Sequence, residues 1–327
     1  MTSSPLVAST LDHALEATIV LSFSRVGYDV RDRVFGWTDL TERPLAGRVI
    51  VVTGATSGLG FAAATRLARL GGSVVIVGRD PGRTTDARGR IATDTGNDDI
   101  EAAVADLADL DAVRALATHL TATQTRLDAI VHNAGAMATT HELTADGIEV
   151  TVQTHVVAPF LLTRALLPLL ASTPGSRVVT VSSGGMYREG LSVDELEMGA
   201  DGFNGVTAYA RAKRAQVVLN EEWSRRAATT AVTFHAMHPG WVDTPGIRSS
   251  LPAFSKVLGP LLRTPDQGAD TMVWLASARE PLGTNGRFWL DRRPRSTVYV
   301  PGTRPSPQEA ERLWQWTCAR AGVEPDI

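Results

Sequence analysis

Two sets of residues in this chain have types and spacing that could do chemistry. The first is the run Thr53-Gly-Ala-Thr-Ser-Gly-Leu-Gly60. It lies between a short β-branched run, Val49–Val52, and a helical period beginning at Leu59. Glycines on a strand-to-helix turn let a phosphate approach the backbone, and the helix N-terminus offers free N–H groups to a pyrophosphate. Gly54, Thr56, Ser57, Gly58, Leu59 and Gly60 are therefore expected to cradle a dinucleotide. The second set lies far downstream: Ser182-Ser183, then Tyr209-Ala-Arg-Ala-Lys213. Tyr209 and Lys213 are four apart in a helical pattern and share a face. Hydride transfer to a carbonyl leaves an alkoxide that needs a proton, and oxidation of an alcohol needs the reverse. A free tyrosine has a pKa of ~10, too high for a good base near neutrality. A nearby ammonium and an oxidised nicotinamide should both lower it. Tyr209 is thus the expected acid/base. Lys213 is expected to tune it and to contact a ribose, with a serine of the pair on the substrate oxygen.

These residues need a frame that brings them together. Apolar runs recur at Val74–Val77, Ala129–Val131, Val178–Val181 and Val232–Phe234, with a weaker one at Glu101–Val104. Runs of this kind suit strands buried on both faces. Between them Leu59, Ala63, Leu67 and Leu70 share one helix face, and Leu110, Val113, Leu116 and Leu120 another. Strand–helix alternation implies an α/β fold with a doubly wound parallel sheet. A late strand at Arg287–Leu290 is expected to close one edge. We divide the chain into an N-terminal helical extension (1–44), one catalytic domain (45–300) and a C-terminal tail with a short helix (301–327). In the extension, Leu11, Leu15, Ile19, Phe23 and Val26 form an apolar stripe, with Asp12, Glu16 and Arg25 off it. That stripe is expected to pack on the fold; a membrane-surface anchor is the alternative.

The spacing G-x-x-x-G-x-G with a leading Thr resembles the short-chain dehydrogenase/reductase family, whose members have the Rossmann fold. Further residues fit in order from about 45 to 300. The resemblance implies that Asp106 and Leu107 meet the adenine, that Asn133, Ala134 and Gly135 line the cofactor pocket, and that Pro239, Gly240, Val242 and Thr244 hold the nicotinamide carboxamide. It also selects Ser183, the second serine of its pair, as the catalytic one. Arg79 stands at the end of the second strand, where an acid would accept the ribose 2′-hydroxyl of NAD. A guanidinium there binds a 2′-phosphate, so NADP(H) is expected over NAD(H), although Asp80 is adjacent. His155 replaces an Asn of the family that kinks a helix and holds a water relay to the lysine; its carbonyl remains available. His132 replaces another Asn. Ser182–Met186, Tyr209–Leu219, Met237–Trp241 and Asp291–Pro294 resemble a narrower group of that family.

Two loops look like substrate walls. The stretch 184–206 is longer than the family's usual spacing, with Met186, Tyr187 and Leu191 beside the site. After Thr244 come Ile247, Leu251, Phe254, Val257, Leu258 and Leu261. A hydrophobic carbonyl or alcohol substrate is expected, or else these residues only cover the core. In the family the helix of Tyr209 and the helix before it often form a subunit interface. Here Phe160–Leu162 and Val217–Leu219 could supply it, giving a possible homodimer unless the terminal extensions cover them. The net charge of −3 and the lack of long basic runs exclude a nucleic-acid footprint. The single cysteine, Cys318, excludes an internal disulfide and fits a reducing compartment. With no integral membrane segment and no basic signal region, a cytoplasmic protein is expected. Two other readings stand beside the oxidoreductase: a nucleotide-binding protein that has lost its chemistry, and a sugar-nucleotide epimerase of the related extended family. The intact Ser183, Tyr209 and Lys213 oppose the first, and the glycine spacing opposes the second.

Overall fold

The computed structural model describes residues 5–37, 40, 45–135, 137–250 and 252–327. Three helices, α1 (Pro5–Glu16), α2 (Ile19–Phe23) and α3 (Arg25–Phe35), precede β1 (Val49–Thr53). Then α4 (Gly58–Arg69), β2 (Ser73–Gly78), α5 (Pro81–Thr95), β3 (Ile100–Val104), α6 (Leu110–Thr123) and β4 (Ala129–His132) alternate. A long helix follows in pieces: α7 (Val150–Val152), a π-helical turn at Gln153–Val157, and α8 (Ala158–Ala171). Next come β5 (Arg177–Val181), α9 (Gly205–Arg226), β6 (Thr233–Met237), α10 (Pro245–Ser250), α11 (Pro252–Leu258), α12 (Pro265–Ser277), β7 (Arg287–Leu290), β8 (Arg293–Pro294) and α13 (Pro307–Ala321).

Among the described residues the strands form one sheet in the order β3-β2-β1-β4-β5-β6-β7-β8. All neighbours are parallel except β7 and β8. β1 and β4 are buried along their whole length, as continuous β-branched runs require when helices cover both faces. The winding reverses between β1 and β4, so a crevice opens beyond their carboxyl ends. β7 does not close the sheet. Asp291 and Arg292 take left-handed backbone (φ 54° each) and turn the chain back, so that two-residue β8 pairs outside it.

The extension packs on the fold with the opposite face from the one expected. Leu11, Ile19, Val20, Leu21 and Val26 are exposed, Ile19 at 56 %, whereas Asp12 is 4 % exposed and Arg31 fully buried. Only Phe23 of the apolar stripe is buried. The reason lies in distant partners. Arg31 donates to Asp12 (2.8 Å) and to Asp291 (2.7 Å), and Arg295 donates to Asp12 (2.8 Å). Charged side chains enter an interior only when paired, and here the pairs span both ends of the chain.

The apolar residues assigned to a subunit interface are also already used. Phe160–Leu162 and Val217–Leu219 are buried within the chain. Trp314 of α13 packs edge-on against Phe160 and Trp223, at 4.9 Å to each ring. One stretch, Val150–Ala171, is long and apolar enough to cross a membrane, but 67 % of its most apolar window is buried inside the fold. Met186 and Tyr187 are core residues, packed with Phe23 and Phe288, and not pocket walls. By contrast α11 buries none of its residues, and Val257 is 77 % exposed. Leu251 lies outside the described residues.

The inward polar face predicts an inverted mutational pattern. Asp12→Ala removes a buried carboxylate from Arg31 and Arg295, which keep Asp291 and Glu16 as partners, and should cost ~2–3 kcal/mol, whereas Leu11→Ser should stay within ~0.5 kcal/mol. Burial alone would raise the Asp12 pKa, but Arg295 and Arg31 hold it down to about 2. Its contribution is therefore complete above the unfolded value of ~3.9 and is lost as pH falls towards 2. Thermal melts of both variants across pH 2–7 check this. A Leu11→Ser loss as large as that of Asp12→Ala would refute it.

Candidate active site

The crevice at the carboxyl ends of β1 and β4 is a cleft of about 570 Å³. Its walls include Gly54, Thr56, Ser57, Gly58, Leu59, Gly60, Arg79, Asp106, Leu107, Asn133, Ala134, Gly135 and Thr244. The turn is built so that only glycine fits at its tightest points. Gly54 has φ 66°, and a Cβ on it would lie 2.7 Å from Ala134 Cα. A Cβ on Gly60 would lie 2.3 Å from Gly54 O. Asn133 straps the two strand ends together, donating from Nδ2 to Thr53 O (2.9 Å) and Gly54 O (3.2 Å). Thr53 Oγ1 accepts from Asn133 N and Ala134 N, at 3.1 Å each. Backbone held in this way leaves a cleft into which α4 directs the free N–H groups of its first turn. The Ser57 side chain makes no capping bond there. A dinucleotide fits this donor set.

The β2 end resolves the ambiguity between Arg79 and Asp80. Asp80 caps α5, its Oδ1 accepting from Arg83 N (2.8 Å). The carboxylate thereby serves the helix. Arg79 lines the cleft, and so does Arg83, which sequence reasoning missed. Its signal was present: a second arginine one turn into the helix that begins at Pro81. Asp106 Oδ1 accepts from Ala108 N (2.9 Å), which fixes the turn after β3. The run 137–140, Glu142, Thr151, Thr154, Pro245 and Gly246 also border the cleft without having been foreseen.

The three residues expected to transfer protons are not among those that line the cleft. Ser183 ends the β5 segment, and its Oγ accepts from Gly185 N (3.1 Å). The Ser183 side chain also lowers the Tyr209 pKa, against the larger effect of burial. Ser182 is buried and donates to Lys213 O (2.9 Å), so only the second serine of the pair faces the tyrosine. Lys213 Nζ stands 5.4 Å from the Tyr209 ring centroid and donates to Val181 O (2.8 Å). The lysine is buried, and burial lowers its pKa to about 7. The Tyr209 pKa is raised overall by burial. The lowering expected from the ammonium together with an oxidised nicotinamide is not present in the chain alone. Desolvation of the phenolate outweighs the other influences on it, and the lysine that should tune it is itself driven towards neutrality.

Three carboxamide-turn residues lie differently from the expectation. Pro239, Gly240 and Val242 do not border the cleft, while Thr244 does. Pro239 O accepts from Arg263 (3.2 Å), and a Cβ on Gly240 would lie 2.5 Å from the Arg263 guanidinium. Arg263 N donates to Trp241 O (2.7 Å) and Asp243 N to Arg263 O (2.9 Å), so the Val242 amide between them points the other way. His155 falls within the π-helical turn, and its ring packs edge-on to Tyr209 at 5.3 Å. A Cβ on Gly135 would lie 2.1 Å from His155 Cε1, so that glycine makes room for the imidazole. The His155 carbonyl is not left available: it accepts from Gln216 Nε2 (2.7 Å). His132 is buried against Thr163 Oγ1 (2.7 Å), and burial lowers its pKa to about 3.

Known proteins share this arrangement of strands, turns and polar residues. A family model described as short chain dehydrogenase matches residues 48–253. Dehydrogenase/reductase SDR family member 12 of Homo sapiens is 39 % identical over 293 residues, covering 89 % of this chain and 91 % of that protein. Retinol dehydrogenase 12 of Bos taurus is 33 % identical over 311 residues, covering 94 % of this chain and 96 % of that one. Among solved structures, a short chain dehydrogenase of Shigella flexneri complexed with NADP superposes with a TM-score of 0.63. It is 26 % identical and covers 77 % of this chain and 100 % of that one.

Proposed function

The chain belongs to the short-chain dehydrogenase family and is an NAD(P)-dependent oxidoreductase of alcohol and carbonyl groups; from that premise we propose that it uses NADP(H), that Ser183, Tyr209 and Lys213 carry its proton transfer, and that its substrate is hydrophobic. The observation that carries the proposal is Lys213 Nζ 5.4 Å from the Tyr209 ring centroid, with the Ser183 side chain acting on the same phenol. Bound nicotinamide supplies or accepts the hydride. Ser183 orients the substrate oxygen, and Tyr209 gives that oxygen a proton in reduction or removes one in oxidation. A raised tyrosine pKa keeps the phenol protonated at neutral pH, which suits the reductive direction. Arg79 and Arg83 on the cleft wall support a 2′-phosphate ligand, as does the NADP held by the Shigella flexneri protein. The unburied apolar helix α11, in the segment after Thr244, and the retinol in one relative's name support a hydrophobic substrate. We place the activity in a monomer, because α13 covers the helix faces that a homodimer would use.

Three outcomes follow for the reading. Arg79→Ala should weaken NADPH binding by ~1.5–3 kcal/mol, the range for a hydrogen bond to a charged group, and leave NADH binding nearly unchanged. Equal affinities of the parent for both cofactors in calorimetry would end the NADP assignment. In a screen of lipid aldehydes, steroids and retinoids followed by NADPH absorbance, Tyr209→Phe should turn over at least ~10²–10⁴-fold more slowly than the parent while binding NADPH normally. A near-parental rate would make the site assignment wrong. Finally, burial leaves Lys213 partly neutral near pH 7. A ligand that favours its charged form must raise its pKa, so NADPH binding should take up protons at pH 7.5. Calorimetry in buffers of different ionisation enthalpy should detect that uptake in the parent and not in Lys213→Met.

A further inference from the structure

Phe23, the last residue of α2, belongs to the N-terminal extension and yet touches both turns that frame the proton-transfer site. It is 4 % exposed. A Cβ on Gly184, the residue after Ser183, would lie 2.6 Å from Phe23 Cε2. The Phe23 ring also packs edge-on against His238 at 4.4 Å and Trp241 at 6.0 Å. Its carbonyl accepts from Trp241 N (2.8 Å), and a Cβ on Gly240 would lie 2.6 Å from that oxygen. One residue thus presses on the turn after the catalytic serine and on the turn that delivers Thr244 to the cleft. Its own place is fixed from behind. Ser22 O accepts from Arg31 (2.9 Å) and Arg263 (3.0 Å), and both guanidiniums bond Asp291.

We propose that Phe23 is a positioning residue of the active site: its ring sets the Ser183–Gly184 turn and its carbonyl sets the 239–244 turn. The proposal rests on the reading of Ser183 and Tyr209 as the proton-transfer pair. Its physical content is alignment. The Ser183 hydroxyl must meet both Tyr209 and a substrate oxygen, and a displacement of ~1 Å at a reacting group costs on the order of 10²-fold in rate. Gly184 has no side chain to absorb such a shift, because the Phe23 ring occupies that space. Substitutions of the ring leave the Phe23 carbonyl in place on Trp241 N, so they should leave cofactor binding nearly unchanged.

The test uses the full chain, NADPH and a substrate from the screen, with kcat expressed per NADPH-binding site. Gly184→Ala should lower kcat at least ~10-fold, because the new methyl and the ring cannot share the space. Phe23→Leu should lower it less, and Gly184→Ala in the Phe23→Leu background should recover to within about threefold of Phe23→Leu alone. NADPH affinity should change less than about twofold throughout. With NADPH deuterated at the transferred position, the isotope effect on kcat should rise in Gly184→Ala, since a misaligned serine slows the chemical step. A loss of folded protein would leave that effect unchanged. Parental kcat in Phe23→Leu and Gly184→Ala overturns the proposal, as does a Gly184→Ala defect of equal size in both backgrounds. Where Gly184→Ala no longer binds NADPH, Phe23→Leu decides by the same kcat and isotope-effect criteria. The Tyr209→Phe control separates the two claims. If that variant is inactive while the Phe23 variants are parental, only the positioning role fails. If Tyr209→Phe is active, the site reading fails and takes this proposal with it.

Discussion

Asp291 is a carboxylate with almost no access to water, and the region before β1 is organised by its need for partners. Burial alone would raise its pKa, but Arg263 and Arg31 hold it below the usual carboxylate range. Its backbone is left-handed at φ 54°, which swings the chain out of β7 and turns the carboxylate inwards. An unpaired charge at this depth would cost several kcal/mol. Arg31 comes from α3 and Arg263 from the segment before α12, so one carboxylate binds the extension and the end of the substrate-side loop to the sheet. Arg31 in turn is satisfied only if α1 presents Asp12. The polarity of α1 is therefore dictated from the sheet edge, and its apolar residues are left on the outside.

Burial acts on the proton-transfer residues in the same way, with the opposite consequence. Asp291 keeps its charge because two guanidiniums reach it. Among the described residues Tyr209 and Lys213 show no charged partner of this kind: Lys213 donates to the Val181 carbonyl, and burial moves both side chains towards their uncharged forms. A group shifted by burial alone responds to whatever charge is brought beside it, which is what the proposed proton transfer requires.

The sheet and the glycine turn were legible in the sequence because their causes are local. A β-branched run such as Val49–Val52 fits little else than a buried strand, and Gly54 and Gly60 mark a turn because their neighbours are a strand and a helix. Arg287–Leu290 was read as a strand correctly, but its edge position was not. The antiparallel return depends on the left-handed pair Asp291–Arg292, a conformation no composition rule assigns to such residues. The inverted α1 failed for a related reason: the partners of Asp12 lie at Arg31 and Arg295, and no pattern within a helix shows where an arginine far along the chain will come to rest. The covering of Phe160 by Trp314 belongs to the same class. The lowered tyrosine pKa was expected from the lysine and a bound nicotinamide; in the chain alone burial, which spacing does not encode, raises it.

His155 marks the point where the family pattern and this chain part. An imidazole is larger than an amide and needs space. Gly135 supplies it on one side, where any Cβ would collide with the ring. Pro159, four residues on, has no N–H to give the His155 carbonyl. Gln216 satisfies that carbonyl from the helix of Tyr209, one turn beyond Lys213. With the Gln216 side chain in place the turn is held to α9 directly, and the His155 ring bears on the edge of Tyr209. The histidine thereby becomes part of the wall that desolvates the tyrosine. Through that wall it bears on the phenol's pKa by excluding water, with no need to carry a proton itself.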